Sequence, residues 1–269
     1  MKKVFMAMAV VAACATTACD GEVTGEGTLA IETWGEEYIE EGIPGDEFAD
    51  GFSVTYDTFL VVIGDVSAAK EGDAPALEAP AQKVWDLTET GPFQIATGTV
   101  PKGDYFHTVY TIAPPGGDVE AGNVDDGALD TMVTNGYSVY VIGTATDGTV
   151  EKSFEWGFDT STLYDPCHSV AVVEEDGEAT IQLTIHGDHL FYDDAVSEDP
   201  SLRFNDLALA DADDDGEITR EELEAYDITV LPNYGVGSLP IDDMWGYVSH
   251  MTTTLGHIDG EGHCEMTEQ

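Results

Sequence analysis

The sequence predicts a mainly β protein, an antiparallel β-sandwich followed by a C-terminal helical segment. Eight segments between positions 28 and 187 are rich in β-branched and aromatic residues, and several alternate apolar with polar residues. The intervals carry turn signals such as PPGGD and TDGT. Many short strands separated by turns are typical of a sandwich or an open barrel. The alternation of strands with long helical patterns that indicates a parallel sheet is absent.

We expect the sandwich to occupy residues 28–192 and a helical part to occupy residues 193–269. The predicted strands are, in chain order, 28–34, 52–66, 93–100, 104–113, 137–146, 150–158, 169–173 and 179–187. The acidic segment 67–81 and the loop 114–131 are expected to be exposed insertions.

The helical part begins with Asp199-Pro200, a helix-capping residue and a first-turn proline. These predict a helix over PSLRFNDLALA, and REELEAYD predicts a second, short helix. The stretch IDDMWGYVSHMTTTL predicts a third, whose apolar residues recur at helical spacing. They are Ile241, Met244, Trp245, Val248, Met251 and Leu255. This stripe is typical of core packing.

The N-terminus has the pattern of a secretory signal. Lys2 and Lys3 precede a short apolar stretch that ends in small residues before Cys19. A cysteine at this junction resembles the lipobox of bacterial lipoproteins, which implies lipidation. Cys19 gives a signal of suitable length over residues 1–18, whereas Cys14 fits the box better but leaves a very short signal. We therefore expect an exported cell-envelope lipoprotein with residues 19–27 as a tether, attached to the membrane only through lipid.

The charge balance argues against nucleic acid as a partner. The chain has 54 acidic residues and 8 basic ones, a formal net charge of −46. Such a field repels nucleic acid and attracts cations. The sequence does not indicate a protein partner.

A candidate Ca²⁺ loop lies at 211–222, DADDDGEITREE. Asp211, Asp213 and Asp215 match positions 1, 3 and 5 of the template D-x-[DN]-x-[DN]-G, and Gly216 supplies the turn at position 6. The next positions match as well. They are filled by Glu217 (through its carbonyl), the apolar Ile218, Thr219 and the bidentate Glu222. Asp214 is the spare acid, expected to point outward.

The segment resembles an EF-hand, with predicted helices on both sides of the loop. EF-hands usually pair through position 8, and a second loop in register is not found in this sequence. A solitary hand facing abundant extracellular Ca²⁺ can bind weakly, on the order of 10⁻⁴–10⁻³ M. The resemblance therefore implies a mainly structural Ca²⁺.

A second candidate metal site is the pair His186 and His189, at the end of a predicted strand. Such a pair can chelate Zn²⁺ or Cu²⁺ if a third ligand arrives. Three histidines could supply that ligand: His107, His257 and His263. The alternative is that the pair only forms hydrogen bonds with neighbouring loops.

Cys167 and Cys264 are expected to form a disulfide, since paired cysteines in exported proteins usually do. The dipeptides Cys167-His168 and His263-Cys264 also suggest a zinc site. Adjacent residues of an extended segment point in opposite directions, however, so four ligands would converge poorly.

The stretch GYSVYVIGTATDGTVEKSFEWGFDTSTLYDPC, followed by LTIHGDHLF, is similar to copper-associated periplasmic β-sandwich proteins of the MbnP type. This resemblance implies a sandwich fold and copper, but it identifies no binding residue. Nucleophile elbows, phosphate-binding loops and the HExxH zinc motif are absent from the sequence. We therefore predict binding or structural support rather than catalysis.

Overall fold

A computed structural model describes residues 25–269 of the protein. It confirms the mainly β class, with 43% of residues in strands and 19% in helices. The predicted signal peptide and the candidate lipidation sites Cys14 and Cys19 lie outside the described residues. The predicted tether 19–27 overlaps the first strand, which begins at Glu26.

Sixteen strands are present in this part of the chain. They are β1 (Glu26–Trp34), β2 (Ser53–Ala69), β3 (Leu77–Ala79), β4 (Lys83–Asp86), β5 (Phe93–Pro101), β6 (Gly103–Tyr105), β7 (His107–Ile112), β8 (Glu120–Ala121), β9 (Val139–Thr146), β10 (Glu151–Phe158), β11 (Thr162–Cys167), β12 (Ala171–Val173), β13 (Glu178–Ile185), β14 (Glu217–Ile218), β15 (Gly256–Ile258) and β16 (Cys264–Glu268).

The helices are short. They are α1 (Glu36–Glu40), α2 (Asp126–Asn135), α3 (Asn205–Ala210), α4 (Arg220–Ala225) and α5 (Met244–Met251), with 3₁₀ turns at Gly187–Phe191, Ile228–Val230 and Thr252–Thr254. Within residues 25–269, no helix has the length and apolar character needed to cross a membrane.

Two curled sheets carry the fold. The smaller has the strand order β15-β13-β1-β5, and the larger runs β14-β10-β9-β2-β7-β11-β16, with β3, β4 and β8 beside β2. Strands of both sheets contribute to one buried core, for example Leu29 and Ile31 of β1 and Phe59 and Val141 of the larger sheet. This arrangement is consistent with the predicted sandwich.

The expectation of purely antiparallel pairing is wrong at three places. β1 pairs with β13 in parallel, as do β4 with β8 and β10 with β14. Parallel neighbours need a long connection between them. More than a hundred residues separate β1 from β13, so the chain can return in the same direction.

The segments 67–81 and 114–131 are largely exposed or half-buried, as expected, but they also contribute strands and part of a helix. β2 extends to Ala69 and the chain returns as β3, which pairs with it antiparallel. The second segment contains β8 and the first turns of α2. Pairing with β2 and β4 gives their backbone groups partners that the local sequence does not reveal.

The helix predicted from Asp199-Pro200 begins later, at Asn205. The residues before it are extended, because the Arg203 N–H donates to the Phe191 carbonyl. A distant carboxylate then caps the helix: Asp50 Oδ2 accepts from the N–H groups of Phe204 and Asn205 at 2.8 Å each.

The C-terminal part is built into both sheets. β14, β15 and β16 pair with β10, β13 and β11, and the predicted disulfide Cys167–Cys264 joins β11 to β16. The apolar stripe is confirmed. Its buried members are Met244, Trp245, Val248, Met251 and Leu255, while Ile241 is half-buried and precedes α5.

Candidate metal centres

The smaller sheet gathers the first candidate site, which we call the histidine centre. It comprises His186, Asp188, His189, His257 and Glu261, with Glu36 beside them. The register of the strands in this sheet explains why these residues lie close together. Thr184 of β13 lies opposite Trp34 of β1 on one side and His257 of β15 on the other. His186 and Glu36 each follow two residues later, past the ends of their strands.

The three imidazoles are buried against one another. His186, His189 and His257 are 6–7% exposed. Their ring centroids lie 4.2 Å apart for His186 and His257, 5.0 Å for His189 and His257, and 5.3 Å for His186 and His189.

The donor atoms form two overlapping triads that share His186. In one triad, ligand atoms of His186, Asp188 and His189 all lie within 4.8 Å of one another. The same holds for His186, His257 and Glu261. Glu36 adds a further carboxylate, with its Oε2 3.5 Å from His186 Nε2. The arrangement brings together nitrogen and oxygen donors, the types that zinc and copper accept.

Several of these donors have no hydrogen-bond partner although they are buried. They are His186 Nε2, His257 Nδ1 and Asp188 Oδ1. Buried polar atoms are normally paired, and an orphaned one costs about 1–3 kcal/mol. Three such atoms in one cluster are therefore available to a ligand.

The tautomer of His189 follows from its neighbour. Thr254 Oγ1 lies 3.0 Å from His189 Nδ1 and donates its own proton to the Met251 carbonyl. The hydroxyl therefore accepts from Nδ1–H, which leaves the Nε2 lone pair free. An outer partner of this kind fixes metal-binding histidines in orientation.

Local backbone constraints hold the two ends of the site. Gly187 separates His186 from Asp188, and a Cβ there would lie 2.6 Å from Ile39 Cγ1. Glu36 has φ +53°, a strained conformation for a residue with a side chain. Such strain clusters at functional sites, and here it occurs where a carboxylate approaches His186.

The site opens to solvent through an acidic cavity of about 220 Å³. Its lining residues are Glu36, Glu37, Tyr38, His186, Asp188, Tyr192 and Glu261. Glu37 and Glu261 are exposed, so a cation that approaches His186 through this cavity passes carboxylates.

Burial keeps His189 and His257 neutral. Desolvation, reinforced by the neighbouring His186, lowers the pKa of both His189 and His257 to about 3. Desolvation also raises the pKa of Asp188 and Glu36. At neutral pH the two histidines therefore present unprotonated nitrogens, the form that binds metals.

Of the three candidate third ligands, the structure brings His257 to the pair. His107 Nε2 instead lies 2.9 Å from Asp165 Oδ1. His263 is exposed, and its ring centroid lies 5.3 Å from that of His257. Sequence reasoning missed Asp188, Glu36 and Glu261. Only Asp188 had a local signal, its position between the two histidines.

The second candidate site is the loop between α3 and α4. Ligand atoms of Asp211, Asp213 and Asp215 lie within 4.8 Å of one another. Gly216 has φ +92°, the conformation that position 6 requires. The predicted outward direction of Asp214 is confirmed, since its side chain is 98% exposed.

Asp211 is the anchor of this loop. Its side chain is fully buried (0% exposed), and Oδ2 accepts from the Gly216 N–H at 2.9 Å and from Lys152 Nζ at 2.5 Å. Oδ1 is buried without a partner. The hydrogen bond from Lys152 lowers the pKa of Asp211. One carboxylate oxygen is thus held by the protein and the other is left for a ligand.

The structure does not bring Glu222 and Thr219 to the three aspartates. The Ala212 N–H donates to Glu222 Oε1 at 2.8 Å, and Oε2 accepts from the N–H and hydroxyl of Thr219. The bond from the Thr219 N–H, together with the bond that the Glu222 N–H donates to Thr219 Oγ1, forms the capping box of α4. The side chain of Glu217 is exposed on β14, as expected for a residue assigned to bind through its carbonyl.

Comparison with protein-family models, with curated proteins and with solved structures finds no match to this chain. The case for function therefore depends on the geometry of the two sites.

Acid titration tests whether His189 and His257 are buried in the neutral form. Between about pH 6.5 and pH 4.5, the unfolded chain binds protons on these rings that the folded metal-free protein does not. The free energy of unfolding should therefore fall with decreasing pH, by up to about 1.4 kcal/mol per pH unit for each histidine. Urea unfolding at a series of pH values, in the presence of a chelator, measures this free energy.

The matched control is the double variant His189→Gln, His257→Gln. The raised pKa values of Asp188 and Glu36 act in the opposite direction and remain in the variant, so the comparison isolates the histidines. Equal pH dependence of wild type and variant would show that the rings are accessible to protons in the folded state.

Proposed function

We propose that the protein binds one divalent transition-metal ion, Zn²⁺ or Cu²⁺, at the histidine centre. The observation that carries this proposal is the set of buried, unpartnered donor atoms on His186, His257 and Asp188, which belong to two donor triads that share His186. Imidazole suits zinc and copper, and carboxylate completes a borderline donor set that lacks the thiolate or thioether preferred by Cu⁺.

The acidic cavity supports binding that is reversible. Structural zinc sites are closed by four protein ligands, whereas sites that exchange ligands keep an open position. Here His186, Asp188 and Glu261 line a cavity that reaches the surface. The resemblance to MbnP-type proteins favours copper among the two ions. We propose uptake and holding of the ion rather than catalysis.

The test is metal binding by the full exported chain. Wild type should bind one equivalent of Zn²⁺ or Cu²⁺. His186→Ala should weaken binding by at least about 100-fold, more than the 10–100-fold typical of an outer-shell partner. Calorimetric titration and metal analysis after dialysis give the measurement. His107→Ala is the control, since its ring pairs with Asp165 instead.

Unchanged binding by His186→Ala would contradict the histidine centre, and so would the absence of stoichiometric binding by wild type.

A second proposal is a structural Ca²⁺ in the loop 211–222, acting as a solitary EF-hand. It is favoured by the three grouped aspartates and by the unpartnered Oδ1 of Asp211. Pairing of β14 with β10 supplies the strand contact that a second hand provides elsewhere, with Ile218 opposite Phe154. Ligation by Glu222 requires that it redirect at least one oxygen from its present donors. The ion would neutralise the loop and fix α4 against α3.

For this loop, Asp213→Asn combined with Asp215→Asn should abolish Ca²⁺ binding, because two of the three grouped carboxylates lose their charge. Asp214→Asn alters an equally acidic residue of the same loop that points outward, and should leave the affinity within about threefold of wild type. Calorimetry at millimolar Ca²⁺ distinguishes them. Equal weakening by both variants would mean that only bulk charge attracts the ion.

We also propose that the protein is exported and lipid-anchored at Cys19. The motivation is the N-terminal pattern, together with a disulfide at Cys167–Cys264, which is typical of oxidising compartments. Mass spectrometry of the mature N-terminus in a bacterial host should find an acylated peptide starting at Cys19. A peptide starting at Cys14 would assign the lipid anchor to Cys14 instead. A mature chain that keeps Lys2 and Lys3 would contradict export.

A further inference from the structure

Lys152 packs against the candidate Ca²⁺ loop 211–222. It belongs to β10, and the next residue, Ser153, donates its N–H to the Gly216 carbonyl at 2.8 Å. Pairing of β10 with β14 therefore fixes the lysine against the loop. Its side chain is only 9% exposed, and among the described lysines and arginines it is the one that is buried.

The ammonium group contacts two acids of the loop. Nζ lies 2.5 Å from Asp211 Oδ2 and 3.7 Å from Asp214 Oδ1. Because Oδ2 is taken by Lys152 and by the Gly216 N–H, Asp211 is held in one orientation, and its buried Oδ1 has no partner. The lysine thus positions the carboxylate without occupying the oxygen that an ion would use.

The same charge opposes a bound cation. A Ca²⁺ ligand oxygen lies about 2.4 Å from the ion. Across the Asp211 carboxylate, Nζ would then be about 6 Å from Ca²⁺. At that separation, a unit charge and a divalent ion repel by an amount equivalent to about tenfold in affinity, even at the dielectric constant of water.

We propose that Lys152 is an internal counter-ion of the loop. It keeps the loop formed when Ca²⁺ is absent, because it compensates the buried Asp211, and it lowers the affinity of the loop for Ca²⁺. This inference rests on the proposed Ca²⁺ function of the loop and assigns to Lys152 the setting of its affinity.

The variant Lys152→Met removes the charge and keeps the length of the side chain. Wild type and variant, both full-length and freed of metal with a chelator, are titrated with Ca²⁺ by calorimetry. Lys152→Met should bind Ca²⁺ about tenfold more tightly. Its thermal midpoint without Ca²⁺ should fall, and saturating Ca²⁺ should restore most of the difference.

Two further variants make the result decisive. Lys83→Met removes the same charge at the surface, where Nζ lies 3.9 Å from Glu120, and should not change the affinity by more than about twofold. Lys152→Gln keeps a hydrogen-bond donor for Asp211 and should also bind more tightly. It is the variant to use if Lys152→Met does not fold without Ca²⁺.

The outcomes distinguish failure of the proposed role of Lys152 from failure of the proposed Ca²⁺ binding. Equal or weaker binding by both Lys152 variants, with wild type binding normally, would overturn the role of Lys152 alone. Tighter binding by Lys83→Met to the same degree would also overturn it, since net charge would explain the effect. Absence of Ca²⁺ binding in wild type and in all variants would overturn the Ca²⁺ proposal and this inference together.

Discussion

The pairing of β13 with both β1 and β15 is the constraint on which the histidine centre depends. These strands come from the start, the middle and the end of the described chain, and their register sets Trp34, Thr184 and His257 in one row. A slip of one residue would turn every side chain of the slipped strand to the other face. His257 could then no longer face His186. The site is therefore a property of the sheet rather than of the HGDH segment alone.

The histidine centre and the loop 211–222 differ in how the charge of their acidic residues is balanced. At the histidine centre, burial lowers the pKa of His189 and His257, so these two rings are neutral, and acidic residues line the adjoining cavity. At the loop, Lys152 already neutralises the most buried carboxylate. No lysine or arginine stands among the described residues that form the histidine centre or line its cavity.

Local patterns in the sequence predict most of what is local in the fold. All eight predicted strands are present within a few residues, as are α4, the core stripe of α5 and the grouping of three loop aspartates. Failures occur where partners are distant. Asp50 delays the start of α3, and long-range register creates the parallel β1–β13 pair. Glu36, Glu261 and Lys152 were not predicted for the same reason, because they reach their sites from strands and turns that are distant in the sequence.

X-ray absorption spectroscopy of the full chain loaded with one equivalent of Cu²⁺ or Zn²⁺ shows whether the buried imidazoles bind the ion. We expect a nitrogen and oxygen shell with the multiple-scattering pattern of at least two imidazoles, reduced by one in His257→Gln. A shell of oxygen donors alone, unaffected by that substitution, would contradict it. The ion would then be held by surface carboxylates, and the buried histidines would serve only the packing of the sheet.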